Sequence, residues 1–404
     1  MIKTFMRRPI LRGLAIASLG VGVIGCYAFA QQGGFDPERM KREALAQPFI
    51  GVTTDGTPQP GLYDIESTGV PTAAVVAAAQ NFLAALTDEQ RKRTVFPVDN
   101  PEWRNWANVH RFQRQGLALK EMNEFQRESA YGLLRASLSA KGYQTARDIM
   151  RLNHHLGELV ANFEEYGEDL YWFTVMGEPS SDSPWGWQID GHHLIINYFV
   201  LGDQVVMTPT FMGSEPVEAS SGRYAGTSIL EPEQDQALNF MESLTPEQQA
   251  AAILGPKDSR AENQAEMFKD NVIIPYQGLR ATGLEPAQKA KLLDLIALYV
   301  GNMDDGHAEV KMSEVRAHLD ETYFAWRGEI GAEAVFYYRI QSPVLLIEFD
   351  HQGPIALEGP RSVPTRRHIH TVVRTPNGND YGKDLLRRHY EAIEHGSERG
   401  NITR

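Results

Sequence analysis

Gln188-Ile-Asp-Gly-His-His-Leu-Ile-Ile-Asn-Tyr198 and Arg339-Ile-Gln-Ser-Pro-Val-Leu-Leu-Ile-Glu-Phe349 share one pattern. Each opens on a polar residue followed by Ile and closes on an apolar run that ends in Asn197 or Glu348 and an aromatic residue. Such runs, bounded by turn residues, read as strands. The matches continue outward in the same order. Tyr171-Trp-Phe-Thr-Val-Met-Gly-Glu178 parallels Tyr323-Phe-Ala-Trp-Arg-Gly-Glu329, and Val205-Val-Met-Thr-Pro209 parallels Val372-Val-Arg-Thr-Pro376. Upstream, Asn81-Phe-Leu-Ala-Ala-Leu-Thr-Asp-Glu-Gln90 recurs as Asn239-Phe-Met-Glu-Ser-Leu-Thr-Pro-Glu-Gln248. In the first copy Thr87 and Gln90 have the spacing of a capping box. Gln115-Gly-Leu117 recurs as Gln277-Gly-Leu279, each before an amphipathic helix, at about 121–137 and about 286–300. A further helix follows in each half, at about 145–166 and about 308–322. Helices first and strands after give an α+β class. The expected fold is an internally duplicated unit of helices followed by an antiparallel meander. The halves, 71–230 and 231–404, should be pseudo-twofold related and pack as one domain.

Residues 31–70 are rich in Gly, Pro and Thr and read as an irregular lead-in. Residues 1–30 have a different character. Lys3, Arg7, Arg8 and Arg12 precede the uncharged run Leu14–Ala30, the pattern of a secretory signal peptide. Cleavage is expected after Ala30. Val23-Ile-Gly-Cys26 offers the competing reading of a lipid anchor. Arg7-Arg8 fits a twin-arginine signal, and the general secretory route fits as well. The expectation is therefore a periplasmic or secreted protein with no membrane span in the mature chain. Cys26 is the only cysteine, so the mature chain has no disulfide, no thiolate metal ligand and no cysteine nucleophile. The formal charge is −13, and losing the four leader cations takes it to about −17. That excess of acid argues against nucleic acid and anionic membranes as partners. A small molecule remains the expected substrate or ligand.

Titratable residues concentrate between Leu345 and Tyr381. His368 and His370 are two apart and share a face on a regular strand. Paired neutral imidazoles are good ligands for zinc, copper or iron. Glu348 and Asp350 repeat the spacing on the neighbouring strand. If the strands pair in register, the four converge into a divalent-metal site, with His368, His370 and Asp350 as ligands and Glu348 as catalytic base. The competing reading is a polar face whose side chains bond across the strands. Arg374 shares the phase of His370 and could hold a substrate anion with its planar fork, or simply pair with Glu348 or Glu329. Asp190-Gly-His192-His193 begins a strand on which adjacent histidines oppose each other. His193 keeps the phase of Asn197, so a pseudo-twofold could bring it to the metal. His351 reads as a strand-end residue and His154-His155 as structural. Trp187 and Arg339 are candidate substrate contacts. Pro376-Asn377-Gly-Asn-Asp380 reads as a turn with Asn377 at the site mouth.

The blocks Trp185-Gly-Trp-Gln-Ile-Asp-Gly-His-His-Leu194, Thr208-Pro-Thr-Phe-Met-Gly-Ser-Glu-Pro216 and His368-Ile-His-Thr-Val-Val-Arg-Thr-Pro-Asn-Gly-Asn-Asp-Tyr-Gly382 carry a resemblance to a family. The chain resembles the bacterial proteins known as domain of unknown function 3500, over roughly residues 73–395. That resemblance implies no activity. Outside the expected leader, no nucleophile elbow, P-loop or dinucleotide fingerprint is present. The residues themselves lead to a metal-dependent hydrolase, in which the cation activates water. The alternatives are a periplasmic small-molecule-binding protein without catalysis and a copper or iron redox protein with Met207 or Met212 among its ligands.

Overall fold

The computed structural model describes residues 36–257 and 260–400. The expected signal peptide lies outside them. In chain order come α1 (Pro37–Leu45), α2 (Ala73–Ala85), α3 (Asp88–Thr94), β1 (Val95–Phe96), β2 (Leu117–Ala118), α4 (Glu124–Ser137) and α5 (Ala140–Val160). Then come β3 (Tyr171–Met176), β4 (Trp185–Gly191), β5 (Leu194–Leu201), β6 (Gln204–Val206) and β7 (Thr210–Ser214). The chain continues with α6 (Glu231–Glu242), α7 (Pro246–Ala252), β8 (Ile253–Gly255), β9 (Leu279–Arg280), α8 (Pro286–Val300) and α9 (Asp305–Ala317). It ends with β10 (Tyr323–Gly328), β11 (Phe336–Gln341), β12 (Leu346–His351), β13 (Ile369–Arg374) and α10 (Lys383–Gly400). Residues from Glu38 onward form one compact unit.

Local sequence explains the helix starts. Thr87 with Gln90, and Thr245 with Gln248, form capping boxes that satisfy amides otherwise orphaned in the first turn. Asn123 with Gln126 does the same for α4, and Ser139 caps α5. Within the expected irregular lead-in, α1 forms a helix instead, with Pro37 at its first position.

All thirteen strands join one mixed sheet, in the order β1-β3-β4-β5-β7-β13-β12-β11-β10-β8, with β2, β6 and β9 pairing alongside. The meanders β3-β4-β5 and β10-β11-β12-β13 are antiparallel as expected. The parallel pairs β1/β3 and β8/β10 were not expected, and they make the sheet mixed. The register fixes which residues correspond. Gln188 faces Asn197 across β4/β5, and Arg339 faces Glu348 across β11/β12. The strand beside β5, as β13 is beside β12, is β7: Ile195 faces Phe211 and Leu346 faces Arg374. Phe211 rather than Met207 thus stands where Arg374 stands. The Val205–Pro209 match fails because that segment lies in β6 and the turn into β7.

Both faces of the sheet are covered, which is why β4, β5, β11 and β12 are buried from end to end. One face packs on the helices, with Ile347, Phe349 and Ile369 in that core. Burying each such side chain contributes roughly 1.5–3 kcal/mol. Loops cover the other face. Val52, Trp103, Trp106, Met267 and Tyr381 pack there on Phe211, Leu346 and Val372. Glu348, Asp350, His370 and Arg374 alternate onto this loop-covered side, opposite Ile347, Phe349 and Ile369.

Candidate metal centre

Three histidines meet at the junction of β13, β7 and the β4–β5 turn. Gly191 pairs with Leu194, so His192 and His193 form a two-residue turn and not the start of a strand. His193 has φ of 64°, a left-handed conformation that histidine tolerates better than most residues. The two rings therefore stack, at 3.9 Å between centroids and 25° between planes, instead of pointing to opposite faces. The turn is stitched to β7 where the Gly213 amide donates to the His193 carbonyl at 2.9 Å. Gly213 itself pairs with His370. A Cβ on Gly213 would lie 2.5 Å from the Ile369 carbonyl oxygen, so only glycine permits this approach.

The three Nε2 atoms converge. His370 Nε2 lies 3.0 Å from His368 Nε2 and 3.1 Å from His193 Nε2. All three rings are buried, and their ligand atoms lie within 4.8 Å of one another. The outer nitrogens fix two tautomers. His368 Nδ1 donates to the Gly353 carbonyl at 2.9 Å, because a carbonyl can only accept. His370 Nδ1 donates to Glu266 Oε1 at 2.8 Å, and Glu266 also accepts from Asn263 Nδ2 at 3.1 Å. Both Nε2 atoms therefore present bare lone pairs to each other at 3.0 Å. Burial lowers the pKa of all three imidazoles, and their neighbours' charges add to this for His193 and His370. A proton is thus disfavoured as the cation between them, and neutral imidazole is the metal-binding form. Zinc–nitrogen bonds of about 2.0–2.1 Å place tetrahedral ligands about 3.3–3.4 Å apart, within a few tenths of the two spacings that His370 makes. The cluster can hold a metal ion on His193, His368 and His370.

The carboxylates of β12 are committed elsewhere. Asp350, expected as a ligand, pairs with Lys257 Nζ at 3.0 Å and accepts from the Glu262 amide at 2.8 Å. Glu348, expected as a base, accepts from the Gln264 and Ala265 amides at 3.0 and 2.8 Å and from Tyr337 Oη at 2.6 Å. Among the described residues the convergent group holds no carboxylate. Burial raises the pKa of both acids, Asp350 to about 7. Between them they anchor Lys257 and residues 262–265 over the sheet, which places Glu266 behind His370.

Arg374 is buried and fully engaged. It donates to the carbonyls of Ala265 and Glu266 and to Asp270 and Asp380 at 2.8 and 3.3 Å. Arg339 donates to Gln277 Oε1 at 3.1 Å, and Trp187 stacks on Tyr198 in the helix-side core. Asn377, at φ 58°, joins the lead-in to the β11–β12 turn by accepting from the Gln59 amide and donating to the Pro343 carbonyl. None of these four lies in the histidine cluster. Met212 faces the helix-side core as well, where Asn302 Nδ2 donates to its sulfur at 3.7 Å. His351 has both nitrogens in use: it accepts from the Phe336 amide and bonds to Gln234 Oε1. Glu266 was not anticipated, since its segment has no periodicity.

Fold and site define a mixed α/β protein with a buried three-histidine cluster on the loop-covered face of a central strand. A family model described as Protein of unknown function (DUF3500) matches residues 68–383, and the chain belongs to that family. No curated protein and no solved structure matches the chain.

Proposed function

We propose that the chain is an exported metalloprotein whose His193, His368 and His370 bind one divalent ion, zinc foremost, for hydrolysis of a small molecule. The observation that carries this is the pair of bare Nε2 lone pairs held 3.0 Å apart in a buried site. Lone pairs so placed repel unless a cation takes them, and such strain persists where function needs it. His193, His368 and His370 would hold the ion through neutral imidazoles, and the ion would supply the Lewis acidity that activates a water for hydrolysis. The protein's part is orientation. Glu266 and the Gly353 carbonyl fix the tautomers of His370 and His368, the carboxylate–histidine arrangement that raises ligand basicity. The redox alternative draws less support, because Met212 lies on the opposite face of the sheet.

Purified protein should carry about one metal per chain by elemental analysis, and His370→Ala should lose it. Metal retained in that variant would sink the proposal. A visible absorption band would reassign the ion to copper or iron. The mature N-terminus, read by mass spectrometry, should be Gln31. We also infer that the chain is an internal duplication, supported by the matching registers of β4/β5 and β11/β12 and by the strand order on either side of β7 and β13.

A further inference from the structure

We infer that Arg260 anchors an oxyanion of the substrate, so that the three-histidine site acts on a small molecule bearing a carboxylate or phosphate group. This rests on the metal reading and adds a substrate class to it. The sequence offers Arg374 for the task, but its donors are taken by Ala265, Glu266, Asp270 and Asp380. Arg260 differs on every count. It is exposed, and among the described residues no carboxylate pairs with it.

Its placement is built. Asp350 binds Lys257 Nζ on one side of it and the Glu262 amide on the other, at 3.0 and 2.8 Å. One buried carboxylate therefore fixes the chain before and after Arg260. The Arg260 carbonyl accepts from the Gly353 amide at 3.2 Å, and the Gly353 carbonyl accepts from His368 Nδ1 at 2.9 Å. Arg260 Cγ lies only 2.7 Å from where a Cβ on Gly353 would stand, so glycine there makes room for the arginine stem. One residue thus separates Arg260 from a ligand of the proposed metal.

Three neutral imidazoles would leave a divalent ion without an anionic ligand of its own. The nearest carboxylates are occupied, Glu266 by His370 and Glu215 by the amides of Ile355, Ala356 and Leu357. A guanidinium presents a planar fork that fits carboxylate or phosphate oxygens.

The test is calorimetric titration of zinc-loaded protein with malonate and with inorganic phosphate, with metal content measured alongside. Binding of either anion, weakened roughly tenfold or more in Arg260→Gln and partly restored in Arg260→Lys, supports the inference. The preferred anion distinguishes carboxylate from phosphate. Equal binding to Arg260→Gln, or no binding of either anion to the loaded wild type, overturns it. Failure of the wild type to take up zinc overturns the metal reading. Arg260-dependent binding to the metal-free chain would then keep the anchor and discard the metal.

Discussion

His370 and Arg374 project from the same face of β13, four residues apart, and their surroundings are opposite in kind. Around Arg374 every charge is answered. Asp270 takes Arg374 on one oxygen and Arg104 Nε on the other at 2.7 Å, and Tyr381 Oη donates to it at 2.9 Å. Asp380 accepts from the Thr375 amide at 2.7 Å, and Trp106 Nε1 donates to Tyr381 Oη at 2.8 Å. Around His370 the outer nitrogens of His368 and His370 have acceptors, and their Nε2 atoms face only each other and His193 Nε2. The closed network ties the lead-in, the loops and β13 together. The open one gathers three ring nitrogens that could hold a metal ion. On one strand, completeness of hydrogen bonding separates scaffold from site better than residue type does.

Breaking the closed network should have the largest effect. Arg374→Met leaves Asp380 buried without its cation and Asp270 with Arg104 alone, and should destabilise the fold by about 3–5 kcal/mol in urea denaturation. A loss below about 1 kcal/mol would mean that the network is not the scaffold described.

His351 sharpens the contrast, being a closed histidine one strand away. Burial pushes its pKa down to about 3, from 6.5. The unfolded chain therefore takes up a proton below about pH 6.5 that the folded chain refuses. This residue's contribution is intact above that pH. It falls by roughly 1.4 kcal/mol per pH unit as pH drops toward about 3. In urea denaturation, the stability gap between wild type and His351→Gln should narrow by roughly 2–3 kcal/mol from pH 6 to pH 4. A gap independent of pH would contradict a buried neutral ring.

The smallest effect tests the support behind the open site. Glu266→Gln keeps the shape but weakens the acceptor for His370, and should lower metal affinity about 10–100-fold in a chelator competition. Unchanged affinity would make Glu266 a bystander.

The phases of His368, His370, Glu348 and Asp350 were legible in the sequence, because alternation on a strand is a local property. Their roles were not. Asp350 and Glu348 share the face of His370, but a loop with no periodic signal comes down to claim them. His193 was legible only through the supposed symmetry. It reaches the cluster for another reason: it closes the β4–β5 turn, and β7 lies between β5 and β13. The capping boxes at Thr87 and Thr245 follow from four residues each. The parallel additions of β1 and β8 were hidden, since two- and three-residue strands leave no pattern. The Met207–Arg374 equivalence failed because sequence matching cannot see that β6 and β7 divide between them what β13 does alone.

The position of β13 has a consequence for the order in which the molecule comes together. It is the last strand in the chain, yet it lies in the middle of the sheet between β7 and β12. Until it arrives, β7 has an unpaired edge, a surface open to wrong partners. Its pairing with β7 joins residues more than a hundred positions apart, the kind of distant closure that makes folding slow. His368 and His370 ride on that arriving strand, and His193 waits on the other side. The three nitrogens therefore meet only once β13 has closed on β7 and the β4–β5 turn, and a metal held there would report that this closure is made.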